Sequence, residues 1–501
     1  MKSRRNAETI AGSVSASLGS RIGSTRPAII EWVAIETLRS NPKNARTHSK
    51  KQIRTIAASL RSFGFISPII VDENYVALAG NGRLQAARLE GITHVPVIRI
   101  DHLSTAQKRA YLIADNRIAE LAGWDHEILA VEFGELAELL PVEGLDISLT
   151  GFETAEIDSI LTDAAPSQQE PDDVPPRLPR NAVTQPGDLW LIGKHRLLCG
   201  DAQEFSNFTR LMDGVSAAAV FCDPPYNLKV STIGGRGLVQ HPEFAFASGE
   251  MDWPQYRKFL SETLSNGVRI SVLGAVHFVC MDWRHIGDLT EVGREIYGAM
   301  LNLVVWNKSN GGQGSFYRSQ HELIGVFRVG DQSHRNNVEL GRFGRNRSNV
   351  WTYPGVNTFG RGRMEALASH PTVKPIALVA DAILDCTARG DVVLDQFAGS
   401  GTTILAAEKV GRVAYAMEYE PRYVDVAVER WQRSTKLEAT LAGDGRSFEE
   451  IARVRDVSCP PSHRPNPAPS LTSLTKNKTT PGFGGFAPDL QAASDSEKNH
   501  D

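Results

Sequence analysis

The stretch Val392-Val393-Leu394-Asp395-Gln396-Phe397-Ala398-Gly399-Ser400-Gly401-Thr402-Thr403 constrains the fold more than any other part of the chain. It reads as a buried strand, a glycine turn and the start of a helix predicted over Thr402 to Lys409. Glycines allow positive φ and let a ligand approach the backbone without meeting a Cβ. A helix start presents free N–H groups to an electron-rich ligand. A second apolar strand follows and ends at Glu418, 19 residues beyond Gly399. An acid at that place can hold a ribose diol, which an ordinary strand–turn–helix does not require.

The same alternation extends through residues 186–435. Short apolar runs recur at Leu189–Ile192, Ala218–Cys222, Ala275–Cys280, Leu303–Trp306, Leu323–Arg328, Val392–Phe397 and Val413–Met417, with helical patterns between many of them. This predicts an α/β fold: an open, mostly parallel sheet with helices on both faces. The turn at Gly399-Ser400-Gly401 lacks the third glycine of a dinucleotide fingerprint, and no Gly-Lys-Ser/Thr follows it. An adenosyl ligand without a pyrophosphate, such as S-adenosylmethionine, fits better than a dinucleotide or a nucleoside triphosphate.

A second motif, Asp223-Pro224-Pro225-Tyr226, closes the Ala218–Cys222 strand. Its prolines fix φ and remove two N–H donors, leaving carbonyl acceptors and a carboxylate at a strand's C-terminal end. An exocyclic amino group has two N–H donors, and Asp223 with the Pro224 carbonyl could accept both. Tyr226 offers a ring for stacking. A base read this way must first leave its duplex. The alternative is a plain Pro-rich turn, but four such residues in order are rare at average composition.

With 501 residues, the chain has room for two or three domains, and its 41% hydrophobic content suffices for their cores. No apolar run is long enough for a membrane span. A net charge of −4 excludes a polycation, so nucleic-acid contact must come from local basic surface. The five cysteines are scattered with no CxxC pair, which favours a reducing cytoplasm and no zinc site. His334 and His370 sit alone and are read as non-ligands; no metal is expected. Residues 1–28 read as a disordered basic arm; they lack the apolar core of a secretory signal, and a transit peptide stays open. Residues 121–164 read as an acidic helical segment and 165–185 as a Pro-rich linker. From Glu120 to Asp173 there are fifteen acidic residues and no Lys or Arg, read as a solvated helical face plus spacer. Residues 436–501, rich in Pro, Ser, Gly and Asn from about residue 440, read as a mostly disordered tail without a packed core.

The two motifs together resemble the amino-methylating DNA methyltransferases (N6-adenine or N4-cytosine) of the β group, with the catalytic motif before the cofactor motif. The resemblance covers roughly residues 186–435 and implies a Rossmann-like S-adenosylmethionine-dependent fold. Gly200-Asp201-Ala202 stands where the family's acid meets the cofactor adenine. His370-Pro371-Thr372-Val373-Lys374-Pro375 stands where the family closes the methionine side. The resemblance thus implies a cofactor site of Asp201, Ala202, His370, Thr372, Lys374, Asp395, Phe397, Gly399, Ser400, Gly401, Thr402 and Glu418. It implies catalysis at Asp223, Pro224, Pro225 and Tyr226 by direct displacement, without a cysteine nucleophile; Cys222 reads as a buried strand residue. Asp at the first motif position tilts the target toward adenine N6, with cytosine N4 as the alternative.

Between the two motifs, residues 317–363 read as the recognition region on double-stranded DNA. Within it, His334 to Arg363 carries Arg335, Arg342, Arg345, Arg347, Arg361 and Arg363 against one acid, Glu339, interleaved with Phe343, Trp351, Tyr353 and Phe359. Arg can read guanine edges or hold phosphates, and aromatic rings can stack; a solvated loop is the alternative. Residues 29–120 resemble a small α/β domain of the ParB/sulfiredoxin type, through Asn41-Pro42-Lys43-Asn44-Ala45-Arg46, Gly64-Phe65-Ile66-Ser67-Pro68-Ile69 and Gly80-Asn81-Gly82-Arg83. That resemblance implies nucleotide binding at Gly80, Asn81, Gly82 and Arg83. The chain departs from it at Asn81, in place of an acid, and at Ala119, in place of Arg. An accessory DNA-positioning or partner-binding module is the competing reading, and a homodimer stays open.

The leading expectation is therefore a cytoplasmic, site-specific DNA adenine-N6 methyltransferase, with or without a paired restriction enzyme. RNA methylation, a nuclease–methylase fusion and a ParB-like DNA-binding regulator with an inactive methylase are the competing classes.

Overall fold

The computed structural model describes residues 29–164, 175–228, 249–308, 311, 316–341, 345–355 and 373–455. The expected N-terminal arm and the chain after residue 455 lie outside the described residues.

Two sheets organise the chain. The smaller comprises β1 (Ile30–Ala34), β2 (Ile69–Asp72), β3 (Ala77–Ala79) and β4 (His94–Ile100), in the order β1-β4-β2-β3. β1 runs antiparallel to β4, and β2 parallel to it. Ile69, Val71, Val95 and Val97 alternate along β2 and β4 and are fully buried, the period-2 pattern that puts one face of a strand in a core. Helices Lys50–Phe63 and Asn81–Leu89 supply Ala57, Leu60 and Leu84 to the same core. Three helices follow: Thr105–Glu120, His126–Val142 and Thr154–Ala164. The last two enclose a small separate core around Phe133, Ile147 and Ile157. No described helix is long and apolar enough to cross a membrane.

The larger sheet has ten strands: β5 (Leu189–Ile192), β6 (His195–Cys199), β7 (Ala217–Cys222), β8 (Ser271–Met281), β9 (Ala299–Lys308), β10 (His321–Arg328), β11 (Val350–Tyr353), β12 (Val392–Asp395), β13 (Val413–Glu418) and β14 (Thr440–Leu441). Their order is β11-β9-β10-β8-β7-β12-β13-β6-β5-β14. The central run β8-β7-β12-β13-β6 is parallel throughout. The flanks add antiparallel pairs: β10 between β8 and β9, and β5 against β6 and β14. Strands joined by short turns pair antiparallel, whereas parallel neighbours need a crossover. The β5–β6 turn shows this: Gly193 takes φ +61° under the Trp431 ring.

Helices cover both faces, as the sequence pattern predicts. Ile376–Cys386, Thr402–Lys409 and Pro421–Thr435 close one core with Trp190, Val393 and Ala414. Phe205–Met212, Trp253–Arg269 and Ile286–Ile296 close the other with Val220, Val279 and Leu394. The helix Trp253–Arg269 begins with a capping box between Asp252 and Gln255 and a proline in its first turn, which explains its sharp start.

The packed fold extends past the point where composition puts its end. β14 pairs with β5, and the helix Phe448–Val454 buries Phe448, Ile451 and Ala452. The Phe448 ring lies edge-on to Trp190 at 5.1 Å. Ser447 and Glu450 form a capping box that starts this helix within a polar context. The expectation of no packed core after about residue 440 is thus corrected up to Arg455: seven residues with three apolar anchors suffice when a finished core receives them.

Candidate active site

Four adjacent parallel strands aim their C-terminal ends at one place. β7 leads into Asp223, β12 into Phe397–Gly401, β13 ends at Glu418, and β6 leads into Gly200–Ala202. A cavity of about 220 Å³ opens along these ends and is lined by Asp201, Asp223, Tyr226, Phe397, Gly399 and Glu418 among others. In parallel α/β sheets ligands bind at this edge, because loops and helix N-termini converge there.

The cofactor side is built from the glycine turn. Gly399 (φ +52°) has open space where a Cβ would stand, so its backbone faces the cavity. Gly401 (φ +80°) has the opposite constraint: a Cβ there would lie 2.7 Å from the Ala427 Cβ. It is also the left-handed N-cap residue of the helix Thr402–Lys409. Arg430 anchors the turn from below, with Nη1 2.7 Å from the Ser400 carbonyl and 2.9 Å from its Oγ. Glu418 accepts from the backbone N–H of Gly399 at 2.8 Å and of Glu420 at 2.9 Å. Burial nevertheless raises its carboxyl above the usual range, those bonds only moderating the rise. Asp395 accepts from Thr403 Oγ1 at 2.6 Å and from the Phe397 N–H at 3.0 Å, yet burial pushes its carboxyl up to about 7. Asp201 accepts from the Gln203 N–H at 2.8 Å at the far end of the cavity, next to Ala202. Thr402 lines the same wall. His370 and Thr372 lie outside the described residues.

The other half of the cavity is a charge cluster around Asp223. Tyr226 Oη donates to Asp223 Oδ1 at 2.5 Å. Lys374 Nζ lies 2.5 Å from Asp223 Oδ2 and 3.0 Å from Glu322 Oε2. Lys308 pairs with the other Glu322 oxygen. Burial raises the Asp223 carboxyl and Glu322 adds to the rise, while Lys374 pulls it down. Burial also opposes the Glu322 charge, but Lys374 and Lys308 outweigh it and hold that carboxyl at about 2. The Lys374 ammonium is held charged because Asp223 and Glu322 outweigh its burial. The Pro225 carbonyl is taken by Tyr256 Oη at 3.0 Å, whereas among the described residues nothing donates to the Pro224 carbonyl. Cys222 is fully buried behind the motif, and burial raises its thiol well above the usual range.

Residues 217–429 match a family model described as DNA methylase, that of the N6/N4 methyltransferases. Residues 22–117 match the ParB N-terminal domain, and 127–186 the ParB-methyltransferase HTH domain. The large domain belongs to the N6/N4 DNA methylases. The methylase domain is similar to the type II methyltransferase M.HpaI of Haemophilus parainfluenzae, 25% identical over 47% of this chain and 73% of that protein. It is also similar to the type II methyltransferase M.ScaI of Streptomyces caespitosus, 33% identical over 20% of this chain and a share of 33% of that protein. A solved structure, the M1.HpyAVI–SAM complex, aligns with 47% of this chain and 98% of its own, at 19% identity and a TM-score of 0.34.

Lys374, assigned to the cofactor from its motif, lines the cavity and also pairs with Asp223. The sequence reading missed Glu322 and Lys308 altogether. Both sit on strands that look like ordinary core strands; the β9–β10 pairing brings Lys308 to Glu322, whose carboxylate shares Lys374 with Asp223. The recognition region is also redistributed. Arg345 and Arg347 are not free surface cations: they pair with Asp381 and Asp385 on the helix Ile376–Cys386. Trp351 is buried in β11, so its ring does not stand ready to stack on a base, and the half-buried Tyr353 has its hydroxyl bonded to Asp381. Arg335 is exposed. Arg342, Arg361, Arg363, Phe343 and Phe359 lie outside the described residues. Phe316 and Tyr317, which carry no periodic signal, form an exposed ring pair 4.3 Å apart, 84% and 81% open to solvent. The 127–186 match assigns a domain where charge alone suggested a spacer.

Proposed function

We propose that the methylase domain transfers the methyl group of S-adenosylmethionine to N6 of an adenine flipped out of duplex DNA. The observation that carries this reading is the junction of Asp223 and the Phe397–Gly401 turn in one cavity, on neighbouring parallel strands. The cavity suits the cofactor: Gly399 leaves backbone open to it, and Glu418 and Asp201 bring carboxylates for a diol and an adenine. Bound there, S-adenosylmethionine supplies an electrophilic methyl group. Asp223 and the Pro224 carbonyl accept the two N–H groups of the target amine and point its lone pair into the cavity. Tyr226 holds Asp223 in place and presents a ring to the base. Catalysis then comes from positioning and from negative charge beside a nitrogen that becomes positive. Asp in the first motif position favours adenine over cytosine.

The reading is tested by transfer of labelled methyl from S-adenosylmethionine to duplex DNA, followed by identification of the modified nucleoside. N6-methyladenine is expected, with Asp223→Ala at least about a hundredfold slower. N4-methylcytosine would overturn the choice of base, and no label on diverse DNA would overturn the activity.

The N-terminal domain carries a separate candidate for nucleotide phosphate. Gly80 takes φ +91°, and the Arg83 guanidinium folds over it with a buried Nε that has no partner among the described residues. Calorimetric titration with nucleoside triphosphates tests it; binding that survives Arg83→Ala would sink that assignment.

A further inference from the structure

Both oxygens of Asp223 are occupied by the protein's own donors, the Tyr226 hydroxyl on Oδ1 and the Lys374 ammonium on Oδ2. Yet Asp223 is the carboxylate that a target amine must reach. An ammonium N–H and an amino N–H are the same kind of donor, so a base that comes to Oδ2 from the cavity can take the place of Lys374 there. Lys374 cannot simply withdraw to water. Its side chain is 5% exposed, and Nζ lies 5.7 Å from the Trp306 ring centre and 5.8 Å from that of Tyr226. Stranding that charge unpaired would be strongly unfavourable. A second carboxylate is already in reach, Glu322 Oε2 at 3.0 Å. Asp223 is the more open of the two acids, at 24% against 11% for Glu322, so a ligand reaches Asp223 first. The four charges of Asp223, Glu322, Lys308 and Lys374 sum to zero, and shifting Lys374 between the acids leaves that sum unchanged.

We propose that Lys374 is a placeholder for the target amino group: it holds Asp223 before the base binds and passes to Glu322 when the base arrives. Lys374 and Glu322 are then positioning residues, acting through Asp223 on target capture. This rests on the amino-methylation reading above and adds two residues to it. No covalent bond changes in the handover. Only one N–H···O contact is exchanged for another, which limits its free-energy cost.

The test uses the full chain and a duplex carrying the sequence that modification-sensitive sequencing identifies. The KM for DNA and the single-turnover rate are measured for wild type, Glu322→Gln, Lys374→Met and the double variant. Glu322→Gln denies Lys374 its second acid, so the KM for DNA should rise about tenfold or more. Adding Lys374→Met removes the competitor, and the KM should return to within about threefold of wild type while the single-turnover rate stays low. A purely structural role predicts a double variant at least as impaired as Glu322→Gln, and that result overturns the handover. A third variant, Lys308→Met at the cluster's outer edge, guards against misfolding of the others. It strips Glu322 of its second cation and draws Lys374 across, so the KM for DNA should fall; a rise overturns the idea. If wild type transfers no methyl, the functional reading falls and the handover with it. If wild type transfers methyl and the double variant shows no recovery, the handover alone falls.

Discussion

Arg412 grips Asp158 with both nitrogens, Nη1 to Oδ1 at 2.9 Å and Nη2 to Oδ2 at 2.7 Å, across 254 positions of sequence. Asp158 lies on the helix Thr154–Ala164, within the HTH match, and Arg412 in the turn that enters β13 of the methylase domain. Both side chains are buried, at 2% and 0% exposure. Arg389 also reaches Asp158, at 3.4 Å, and Arg412 Nη2 donates to the Thr387 carbonyl at 2.8 Å. The helix Thr154–Ala164 is therefore fastened to the back of the cofactor strand through its buried acid Asp158.

Removing that acid leaves Arg412 buried without its main partner. Asp158→Ala should lower the stability of the full chain by about 3–5 kcal/mol, read from urea denaturation at constant slope. A change under about 0.5 kcal/mol would show that the pair does not hold the two parts together.

Asp395 should give the fold a pH dependence of its own. Burial raises its carboxyl from 3.8 to about 7, so the folded state favours the protonated form. Its stabilising contribution is present at acid pH and is lost as pH rises from about 4 through about 7, at up to about 1.4 kcal/mol per pH unit. Asp395→Asn, compared with wild type in thermal melts without cofactor, should therefore gain relative stability between pH 5 and pH 8. A difference that stays constant over that range would count against the raised carboxyl.

Phe448→Ala tests whether the C-terminal helix belongs to the methylase core. Its ring is 1% exposed against Trp190, and truncation should cost about 3–5 kcal/mol. A melt unchanged within error would mean that the helix Phe448–Val454 is dispensable.

Arg335 and Arg345 should separate DNA contact from structure. Arg335→Ala should weaken DNA binding across sequences and reduce the salt slope by about 1. Arg345→Ala should leave the slope unchanged and lower the melting temperature, because Arg345 holds Asp381 and Asp385. A reduced slope for Arg345→Ala would place it on the DNA after all.

Gly401→Ala should fail at the turn rather than at the ligand. The added Cβ meets Ala427 at 2.7 Å under a positive φ, so stability and cofactor affinity should drop together. Retention of full stability would mean that the turn relaxes without cost.

Much of this protein was legible in the order of its residues. The strand–turn–helix at Val392–Lys409 and the acid at Glu418 follow from local rules of strand period, glycine φ and helix start, and they appear where those rules put them. Asp223–Tyr226 is equally local, since two prolines at a strand end remove two N–H donors and leave acceptors there, although the packing decides which of them stay open. Partnerships are not local. Lys374 belongs to Asp223 because the Ile376–Cys386 helix is delivered beside β7; Glu322 and Lys308 belong there because β9 and β10 pair antiparallel next to β8. Arg345 and Arg347 read as free cations until the helix Ile376–Cys386 sets Asp381 and Asp385 against them. Composition ended the domain near residue 440, but a few apolar residues can fold onto a core already built by others. Sequence determined which chemistry the chain carries, because motifs act over a few bonds. Tertiary structure decided which charges face each other, because a buried ion needs a partner and only packing brings one within reach.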